Sequence, residues 1–487
     1  MINIISKLIM AALVLLIICA APVNTAAFGA EPYQSYNYDK WREAVPSQAG
    51  YTAERTVTGK ELGAGELNSP KDIFRDENGF FYIADSGNNR IIVTDAELRS
   101  TVKVISSFTM ADGEKTELSS PMGVYVSPET GLLYIADNGN SRVLVCDSEE
   151  NVTAEITKPD SEIYDSEKPF MPQRVLADRA GNIYLILGSI TSGAAMFSGS
   201  GEFLGFYGAN KVRPTAEIVS NYVRNIFTYG EKRKKKSRSV PSGITGFDID
   251  GDFIFTCSSS KTRTNDTVKK LNAAGDNIFD GRELTFGDYI SVYDETENTS
   301  YETKICDIDI SGDGNINCLD YTAGRVFQYD EDCNLLFITG GIAEQTGGFE
   351  RPAAIESDTE HLYVLDEKKN YITVFTETAF GEAVHKAARL YNEGRYEEAL
   401  SPWQEVMRLD GNYRRAYIGV ASGLLTKGDY EGAMKYAKLA ELPSVYNKAF
   451  EGYRLNFLRE HFAVLCLCAA AATGGIVLLV RHRKKKR

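Results

Sequence analysis

The stretch Ser69-Pro70-Lys71-Asp72-Ile73, followed after a turn by Phe81-Tyr82-Ile83-Ala84-Asp85-Ser86-Gly87-Asn88-Asn89-Arg90-Ile91, decides the fold because it occurs twice. The second copy begins with Ser120-Pro121-Met122-Gly123-Val124 and continues as Leu133-Tyr134-Ile135-Ala136-Asp137-Asn138-Gly139-Asn140-Ser141-Arg142-Val143. Each copy has short alternating apolar runs separated by glycine-containing turns, which is typical of β-strands. A sheet this small cannot bury its apolar faces alone, so a repeat of about fifty residues predicts units that stack around an axis.

The two copies also share a spacing of polar residues. An arginine follows the strand-ending aspartate by five residues and a second aspartate follows it by ten, as in Asp85, Arg90 and Asp95. The same spacing occurs at Asp137, Arg142 and Asp147, and again at Asp320, Arg325 and Asp330. We interpret the repeated polar residues as turn-stabilising groups rather than a ring of metal ligands; they are Asp85, Asn88, Arg90, Asp137, Asn140, Arg142, Asp320, Arg325 and Asp366.

These residues resemble the NHL-repeat family of β-propellers, whose signature is a proline, an apolar strand, a glycine turn, a Tyr-Ile-Ala-Asp-like strand and Gly-Asn-x-Arg-Val. The resemblance implies a mainly β, six-bladed propeller over residues 31–378. Fainter copies begin at Pro172, Pro241, Asp307 and Pro352, and the third blade has Leu187 in place of the aspartate. We expect residues 51–58 to close the ring beside the last blade.

Residues 380–460 change to helical spacing. Gly394, Tyr396 and Ala399 reappear as Gly428, Tyr430 and Ala433, with the same offset in all three pairs. These segments resemble the turn and second helix of tetratricopeptide repeats. The resemblance implies a small all-α module, with 446–461 as a further helix, that packs or docks partners rather than performing chemistry. With only two repeats, the module is either a docking site or a spacer between the propeller and the membrane.

Both termini carry membrane-directed signals. Residues 1–30 have a basic start, an apolar run and small residues, which is typical of a signal peptide. Residues 462–480 contain no charge and would span about 28 Å as a helix, close to the thickness of a bilayer core. The basic tail 481–487 follows at once, so we expect one transmembrane helix with the tail in the cytoplasm and the rest extracytoplasmic.

Several kinds of chemistry receive little support. A net charge of -14 and a pI near 5.0 argue against nucleic acid as a partner. The run Asp309 to Asp320 has the spacing of a calcium loop, but one hairpin turn of a blade explains the same residues. Of the four histidines only His361 falls in the propeller, so NHL-type lyases with histidine-bound zinc do not fit. No catalytic residue, metal or cofactor is therefore assigned.

One charged run stands apart. Lys232, Arg233, Lys234, Lys235, Lys236 and Arg238 form an apparent insertion between blades. The run is either an anion-binding loop or an ordinary solvated loop. Of the cysteines outside the two hydrophobic segments, only Cys306 and Cys318 lie near enough in sequence to suggest a disulfide.

The sequence thus predicts an extracytoplasmic, membrane-anchored binding or scaffold protein that holds a protein, peptide or glycan at the cell surface. The alternative is a metal-dependent, lactonase-like hydrolase acting at the propeller mouth, since gluconolactonase-like propellers hold a divalent cation with carboxylate and amide groups. Converging acidic and amide side chains at the mouth would favour the hydrolase.

Overall fold

The computed structural model describes residues 32–209, 243–259, 267–289, 292–294 and 299–485. The predicted signal peptide and the basic run at 232–238 lie outside the described residues.

Six antiparallel sheets form the blades of a propeller, which confirms the predicted fold and blade number. Blade 1 follows a hairpin of β1 (Tyr36–Tyr38) and β2 (Ala44–Pro46) and a separate strand, β3 (Tyr51–Thr58). It contains β4 (Asp72–Arg75), β5 (Phe81–Asp85), β6 (Arg90–Thr94) and β7 (Thr101–Ile105). A small hairpin, β8 (Ser107–Thr109) and β9 (Lys115–Glu117), leads into blade 2. Blade 2 contains β10 (Pro121–Val126), β11 (Leu133–Asp137), β12 (Arg142–Cys146) and β13 (Val152–Ile156).

The later blades follow the same order. Blade 3 contains β14 (Pro172–Ala177), β15 (Ile183–Leu187), β16 (Ala194–Phe197) and β17 (Phe203–Tyr207), so the absent aspartate at Leu187 does not prevent a full blade. Blade 4 contains β18 (Ile244–Asp250), β19 (Phe253–Ser258) and β20 (Val268–Leu271), and the hairpin of β21 (Val292–Asp294) and β22 (Thr299–Tyr301) follows it. Blade 5 contains β23 (Ile305–Ile310), β24 (Ile316–Asp320), β25 (Arg325–Tyr329) and β26 (Leu335–Thr339). Blade 6 contains β27 (Pro352–Ser357), β28 (His361–Asp366) and β29 (Tyr371–Glu377).

The N-terminal strand β3 completes blade 6. It pairs antiparallel with β29 from Tyr51 opposite Glu377 to Thr58 opposite Tyr371. This confirms the expectation that residues 51–58 close the ring. Because the first and last parts of the propeller share one sheet, the ring has no open seam there.

Apolar side chains fill the space between neighbouring blades. One cluster joins blades 1 and 2 through residues such as Ile91 and Ile135, both wholly buried. A register shift at the start of the inner strand recurs in five blades, as between Pro121 and Gly123. The inner strands of successive blades lie side by side around a central channel.

Five helices follow the propeller: α1 (Ala379–Asn392), α2 (Tyr396–Leu409), α3 (Arg414–Lys427), α4 (Tyr430–Leu439) and α5 (Pro443–Lys485). Each helix packs on the next. The Thr378 hydroxyl caps α1 by accepting the Gly381 N–H, and the Asp429 carboxylate caps α4 through the Gly432 N–H. The predicted helix 446–461 and the predicted span 462–480 both fall within the single helix α5. This helix contains a window with a mean hydropathy of 2.5 and is long and apolar enough to cross a membrane.

The helices rest on blades 5 and 6. Phe337 of β26 packs against Phe380 of α1 with ring centroids 5.8 Å apart, and Phe380 packs against Tyr413 at 5.5 Å. These rings belong to one apolar cluster that also includes Trp403 of α2. The propeller and the helices therefore share a core.

Candidate functional site

The aspartate that ends the second strand of a blade has the same partners in four blades. Its carboxylate accepts the N–H of a residue just before the first strand of that blade. In each pair the first residue donates its backbone N–H and the aspartate accepts it: Asn68 to Asp85 (2.8 Å), Ser119 to Asp137 (2.8 Å), Lys304 to Asp320 (2.8 Å), and Glu350 to Asp366 (2.6 Å). Because a buried N–H without a partner costs about 1–3 kcal/mol, these carboxylates stabilise the entrance to each blade.

Arginine and asparagine complete this arrangement in blades 1 and 2. The Nε atoms of Arg90 and Arg142 donate to Asp85 and Asp137 at 2.7 and 2.8 Å. Asn88 and Asn140 donate to the same two carboxylates at 2.8 Å.

Blade 5 keeps the spacing but not the ion pair. Arg325 pairs with Asp288, which also accepts the hydroxyls of Tyr36 and Tyr38. Asp320 is bound instead by backbone N–H groups, including those of Thr322 and Ala323, at 3.0 Å. In this blade the repeated spacing does not predict the contact, because Asp288, in the segment that follows blade 4, is a competing acceptor for the arginine.

The inner strands place charged residues in the central channel. Two residues after the residue that enters each of the six blades, the chain has Asp72, Gly123, Arg174, Gly246, Asp307 and Ala354. Four residues after that entry residue, it has Phe74, Tyr125, Leu176, Asp248, Asp309 and Glu356. Many of these side chains line a cavity of only about 40 Å³. Among the residues that the structure describes, these side chains therefore leave little free space between them.

The Arg174 side chain crosses this channel and contacts three other blades. Its guanidinium forms an ion pair with Asp72 of blade 1 and lies 3.7 Å from the Asp307 carboxylate of blade 5. It also donates to the carbonyl oxygens of Lys71 at 3.1 Å and Ala353 at 2.9 Å. One side chain from blade 3 thus joins blades 1, 5 and 6 across the axis.

Three channel carboxylates also accept hydrogen bonds from the following blade, and so join blades 1 and 2, blades 4 and 5, and blades 5 and 6. Asp72 accepts the Val124 N–H at 2.9 Å, Asp248 accepts the Ile310 N–H at 2.6 Å, and Asp307 accepts the Ile355 N–H at 3.0 Å. These N–H groups lie on the inner strands and would otherwise face the channel without a partner.

Carboxyl groups outnumber guanidinium groups in the channel. Burial raises the pKa of Asp72 to about 7, although Arg174 opposes the shift, and burial raises the pKa of Asp309 to about 6. Burial, and next the charge of Asp309, raise the pKa values of Asp248 and Glu356. Burial in the channel therefore favours the protonated forms of these carboxyl groups.

Metal chemistry finds no support among the residues that the structure describes. No group of three or more histidine, cysteine, aspartate or glutamate side chains in these ranges could hold a metal ion. The calcium-like run from Asp309 to Asp320 forms the hairpin of β23 and β24, where Asp309 pairs with Asn317 and Asp320 with Ile305. The two aspartates lie at different ends of the sheet and do not converge.

A larger cavity, about 310 Å³, lies where the helices meet the propeller. Its propeller side includes Tyr38 and Asn334, and its helix side includes Trp403, Arg415 and Ile418. We call this cavity the junction groove. It is open to solvent along one side and much larger than the channel cavity.

Two donors on the wall of the junction groove lack partners. Trp403 Nε1 and Arg415 Nη1 are shielded from solvent and have no hydrogen-bond partner within the described part of the chain. The other terminal nitrogen of Arg415 pairs with Asp330, which also accepts from Asn392 at 3.0 Å. Both donors lie beneath the surface of the groove, and Gly419 packs against the Trp403 indole nitrogen.

The repeated helical residues occupy matching places in the two helix pairs. Gly394 and Gly428 have φ values of 76° and 83°, which favour glycine, and Ala399 and Ala433 are wholly buried. Tyr396 packs on Tyr391 with ring centroids 4.8 Å apart, and a Cβ atom on Gly452 of α5 would meet the Tyr430 ring at 2.4 Å. These residues determine how closely the helices approach.

Other predicted groups have simpler surroundings. The cysteines Cys306 and Cys318 are both free, which leaves the suggested disulfide unformed. His361 lies 3.1 Å from Asp358 and takes part in no catalytic triad in the described ranges. The repeat pattern does not predict the role of Arg174, although Arg174 is the one arginine among acidic and small residues at the equivalent positions of the six blades.

This architecture defines a six-bladed β-propeller with an NHL repeat, followed by helices. The family model described as NHL repeat matches residues 118–146, which include β10, β11 and β12. Over 108 residues, or 22% of this chain, the sequence is 28% identical to a probable peptidyl-alpha-hydroxyglycine alpha-amidating lyase of Caenorhabditis elegans. The match spans 31% of the length of that relative.

Two solved structures match this chain at low sequence identity. A virginiamycin B lyase from Staphylococcus aureus has 11% identity and a TM-score of 0.40, covering 67% of this chain and 100% of that chain. Hydrazine synthase of Kuenenia stuttgartiensis has 13% identity and a TM-score of 0.39, covering 64% of this chain and 96% of that chain.

Proposed function

We propose that this protein is a membrane-anchored binding protein that holds a segment of a partner protein in the junction groove. The observation that carries the proposal is the contrast between a channel plugged by Arg174 and an open groove of about 310 Å³. Pockets that hold small ligands or peptide side chains have volumes of about 300 Å³ or more. The groove reaches that size and the channel cavity does not.

The chemistry of the groove favours an acidic peptide segment. The guanidinium groups of Arg414 and Arg415 supply N–H donors on the wall of the groove, and Asp39 is the one carboxylate among its lining residues in the described part of the chain. A carboxylate would satisfy such donors with charge-assisted hydrogen bonds. A sugar would need an open aromatic face, but Arg42 covers the ring of Tyr289 and the ring of Tyr38 packs edge-on against it at 4.6 Å.

The helices form the second part of the proposal. The matching surroundings of Gly394 and Gly428 support a tetratricopeptide-like origin of the two helix pairs. Since α5 runs without a break from the helical module through the apolar segment, it would hold the groove at a fixed distance from a bilayer. With the signal peptide 1–30 and the basic tail 481–487, we propose that the groove faces the outside of the cell.

A crosslinking experiment tests the groove as the docking site. A photoreactive amino acid at Ile418 should capture a partner on intact cells, whereas one at the exposed Val102 of blade 1 should not. Ile418→Arg should reduce co-purification of that partner by about tenfold or more, equivalent to losing one good contact. Leu439→Arg, on an exposed part of α4, is the matched control and should leave it unchanged. Equal co-purification of the partner with Ile418→Arg and with Leu439→Arg would refute docking in the groove.

Topology is tested separately. Cysteine-free full-length chains carrying one new cysteine at exposed Glu97 or at the basic tail are treated with a membrane-impermeant thiol reagent. We expect labelling of position 97 on intact cells and labelling of the tail only after permeabilisation. The reverse pattern would place the groove in the cytoplasm.

An enzymatic function rests on the similarity to the amidating lyase of Caenorhabditis elegans. The described residues provide no three-residue metal site for such chemistry or for a lactonase. Metal analysis of the purified full-length protein decides between the two functions, because one divalent ion per chain would favour the enzyme.

A further inference from the structure

A chain of buried polar side chains runs through blade 5 from the channel to helix α1. Asp309 of β23 accepts the Asn317 Nδ2–H at 2.7 Å, and the Asn317 Oδ1 atom accepts the Gln328 Nε2–H at 2.9 Å. Gln328 Oε1 lies 2.6 Å from His385 Nε2, and His385 Nδ1 contacts the Glu377 carboxylate. The exposed fractions of Asn317 and Gln328 are 0% and 2%, so both amides are buried within blade 5. We call these five residues the blade 5 relay.

The direction of every hydrogen bond in the blade 5 relay follows from its ends. Ionised Asp309 and Glu377 can only accept, and each amide passes one donor and one acceptor along the chain. Asn317 must therefore turn its NH₂ to Asp309, and Gln328 must turn its NH₂ to Asn317. The carbonyl oxygen of Gln328 then faces His385. Both ring nitrogens of His385 face acceptors, so only an imidazolium with two N–H groups satisfies the whole chain.

A second arrangement satisfies the same five residues. If Asp309 holds a proton, its O–H can donate to Asn317 once both amides have turned over by half a turn. Gln328 then donates its NH₂ to Nε2 of a neutral His385, whose Nδ1–H still binds Glu377. One proton has left His385 for solvent and one has entered at Asp309 from the channel. No proton travels along the amides. The Tyr51 hydroxyl, which accepts from Gln328 Nε2 at 3.2 Å in the first arrangement, turns to donate to the Gln328 carbonyl oxygen in the second. The Ser357 hydroxyl, 3.3 Å from Asn317 Nδ2, keeps its bond to Asp309.

We infer that Asp309 and His385 form a coupled pair, in which the protonation of the channel carboxyl determines the charge of the histidine that holds α1 to the propeller. The intermediate arrangements are unfavourable because turning only one amide places two acceptors or two donors face to face in a buried site. The relay therefore has two stable states. In the first state His385 and Glu377 form an ion pair between α1 and β29, and in the second state only a neutral hydrogen bond remains.

The surroundings at both ends are compatible with this coupling. Around His385 the propeller places Tyr51 of β3 and Phe337 of β26, with ring centroids 6.1 and 5.3 Å from the imidazole. Along α1, Arg389 lies 3.7 Å from Asp313, while Glu382 and Lys386 are the other charged residues of the helix near His385.

At the channel end, Asp309 faces carboxyl groups from neighbouring inner strands. These are Asp248, Asp307 and Glu356, and the Ser357 hydroxyl donates to Asp309 at 2.6 Å. Burial raises the pKa of Asp309 to about 6, so both of its protonation states are accessible near neutral pH. A cation that enters the channel would favour ionised Asp309 and hence the imidazolium form of His385.

The four histidines of the chain make this inference measurable by ¹⁵N NMR of histidine-labelled full-length protein in micelles. His385→Gln assigns the signals of His385 by their loss. At about pH 8, where Asp309 is ionised, the hydrogen bonds of the blade 5 relay require two protonated nitrogens on His385. A neutral His385 under these conditions would overturn the inference.

Two further variants separate a relay from simple charge loss. Asp309→Asn can donate to Asn317 and should favour the second arrangement, lowering the doubly protonated fraction of His385 by about fivefold or more at that pH. Asp248→Asn removes a neighbouring channel charge but touches no relay residue, so it should leave the His385 signals unchanged. If both variants change His385 equally, the relay is refuted. If Asp309→Asn fails to fold, Asn317→Leu interrupts the blade 5 relay and frees Gln328 to turn its NH₂ to His385, so the doubly protonated fraction of His385 should fall as well. An unchanged fraction in Asn317→Leu would overturn the inference.

Discussion

Replacing Arg174 with methionine should destabilise the propeller strongly and in a manner that depends on pH. The guanidinium pairs with Asp72, lies 3.7 Å from Asp307 and donates to two carbonyl oxygens. Asp72 and Asp307 expose only 7% and 6% of their surfaces, so the variant would leave two buried carboxyl groups without a counter-charge. Removing one partner of a buried ion pair typically costs about 3–5 kcal/mol.

The pH dependence follows from the carboxyl groups that remain. The pKa of Asp72 in the folded protein is about 7, above its unfolded value, so folded protein retains a proton that the unfolded chain has released. Stability therefore falls as the pH rises through that window and levels off above pH 7. Without Arg174 the pKa values of Asp72 and Asp307 rise further, so the stability of the folded protein continues to fall at higher pH. The loss caused by Arg174→Met should be full near pH 8 and about half as large near pH 5.

Urea unfolding of the full-length chain in micelles, followed by the circular dichroism of the β-sheet, measures this difference. Arg179→Met is the matched control in the same blade, because the Arg179 side chain is 63% exposed and its ion pairs are on the surface. The control should change stability little at either pH. An equal loss of unfolding free energy at pH 5 and pH 8, or a loss no larger than that of Arg179→Met, would refute the role of Arg174 in joining the blades across the channel.

Three smaller changes test other parts of the fold. Gly428→Ala should lower the free energy of unfolding by about 1 kcal/mol because φ is 83° at this position, whereas Gly411→Ala, at an open site, should not. Asp137→Asn should cost about 2 kcal/mol by weakening the bonds to Ser119 and Arg142, measured by thermal unfolding. Thr56→Pro should cost about 3 kcal/mol or more, since it interrupts the strand that closes the ring; a protein that melts normally would contradict this role of β3.

The site was harder to predict than the fold. The strand-ending Asp85 and Asp137 stood out because local turn chemistry repeats along the chain, and their contacts involve residues of the same blade. Arg325 shares their spacing but pairs with Asp288, which no local pattern indicates. Gln328 occupies an ordinary strand position in sequence, and only the packing of α1 on blade 5 gives it a histidine partner.

The sequence by itself determined the repeated blades, the strand that closes them, the helices and the apolar terminal segment. Each of these depends on hydrophobic periodicity and turn residues within a short stretch, and such information is local. The tertiary structure decided the plugged channel, the junction groove and the blade 5 relay. Those features bring together side chains from different blades and from α1, so their contacts exist only after the ring has closed and the helices have packed against it.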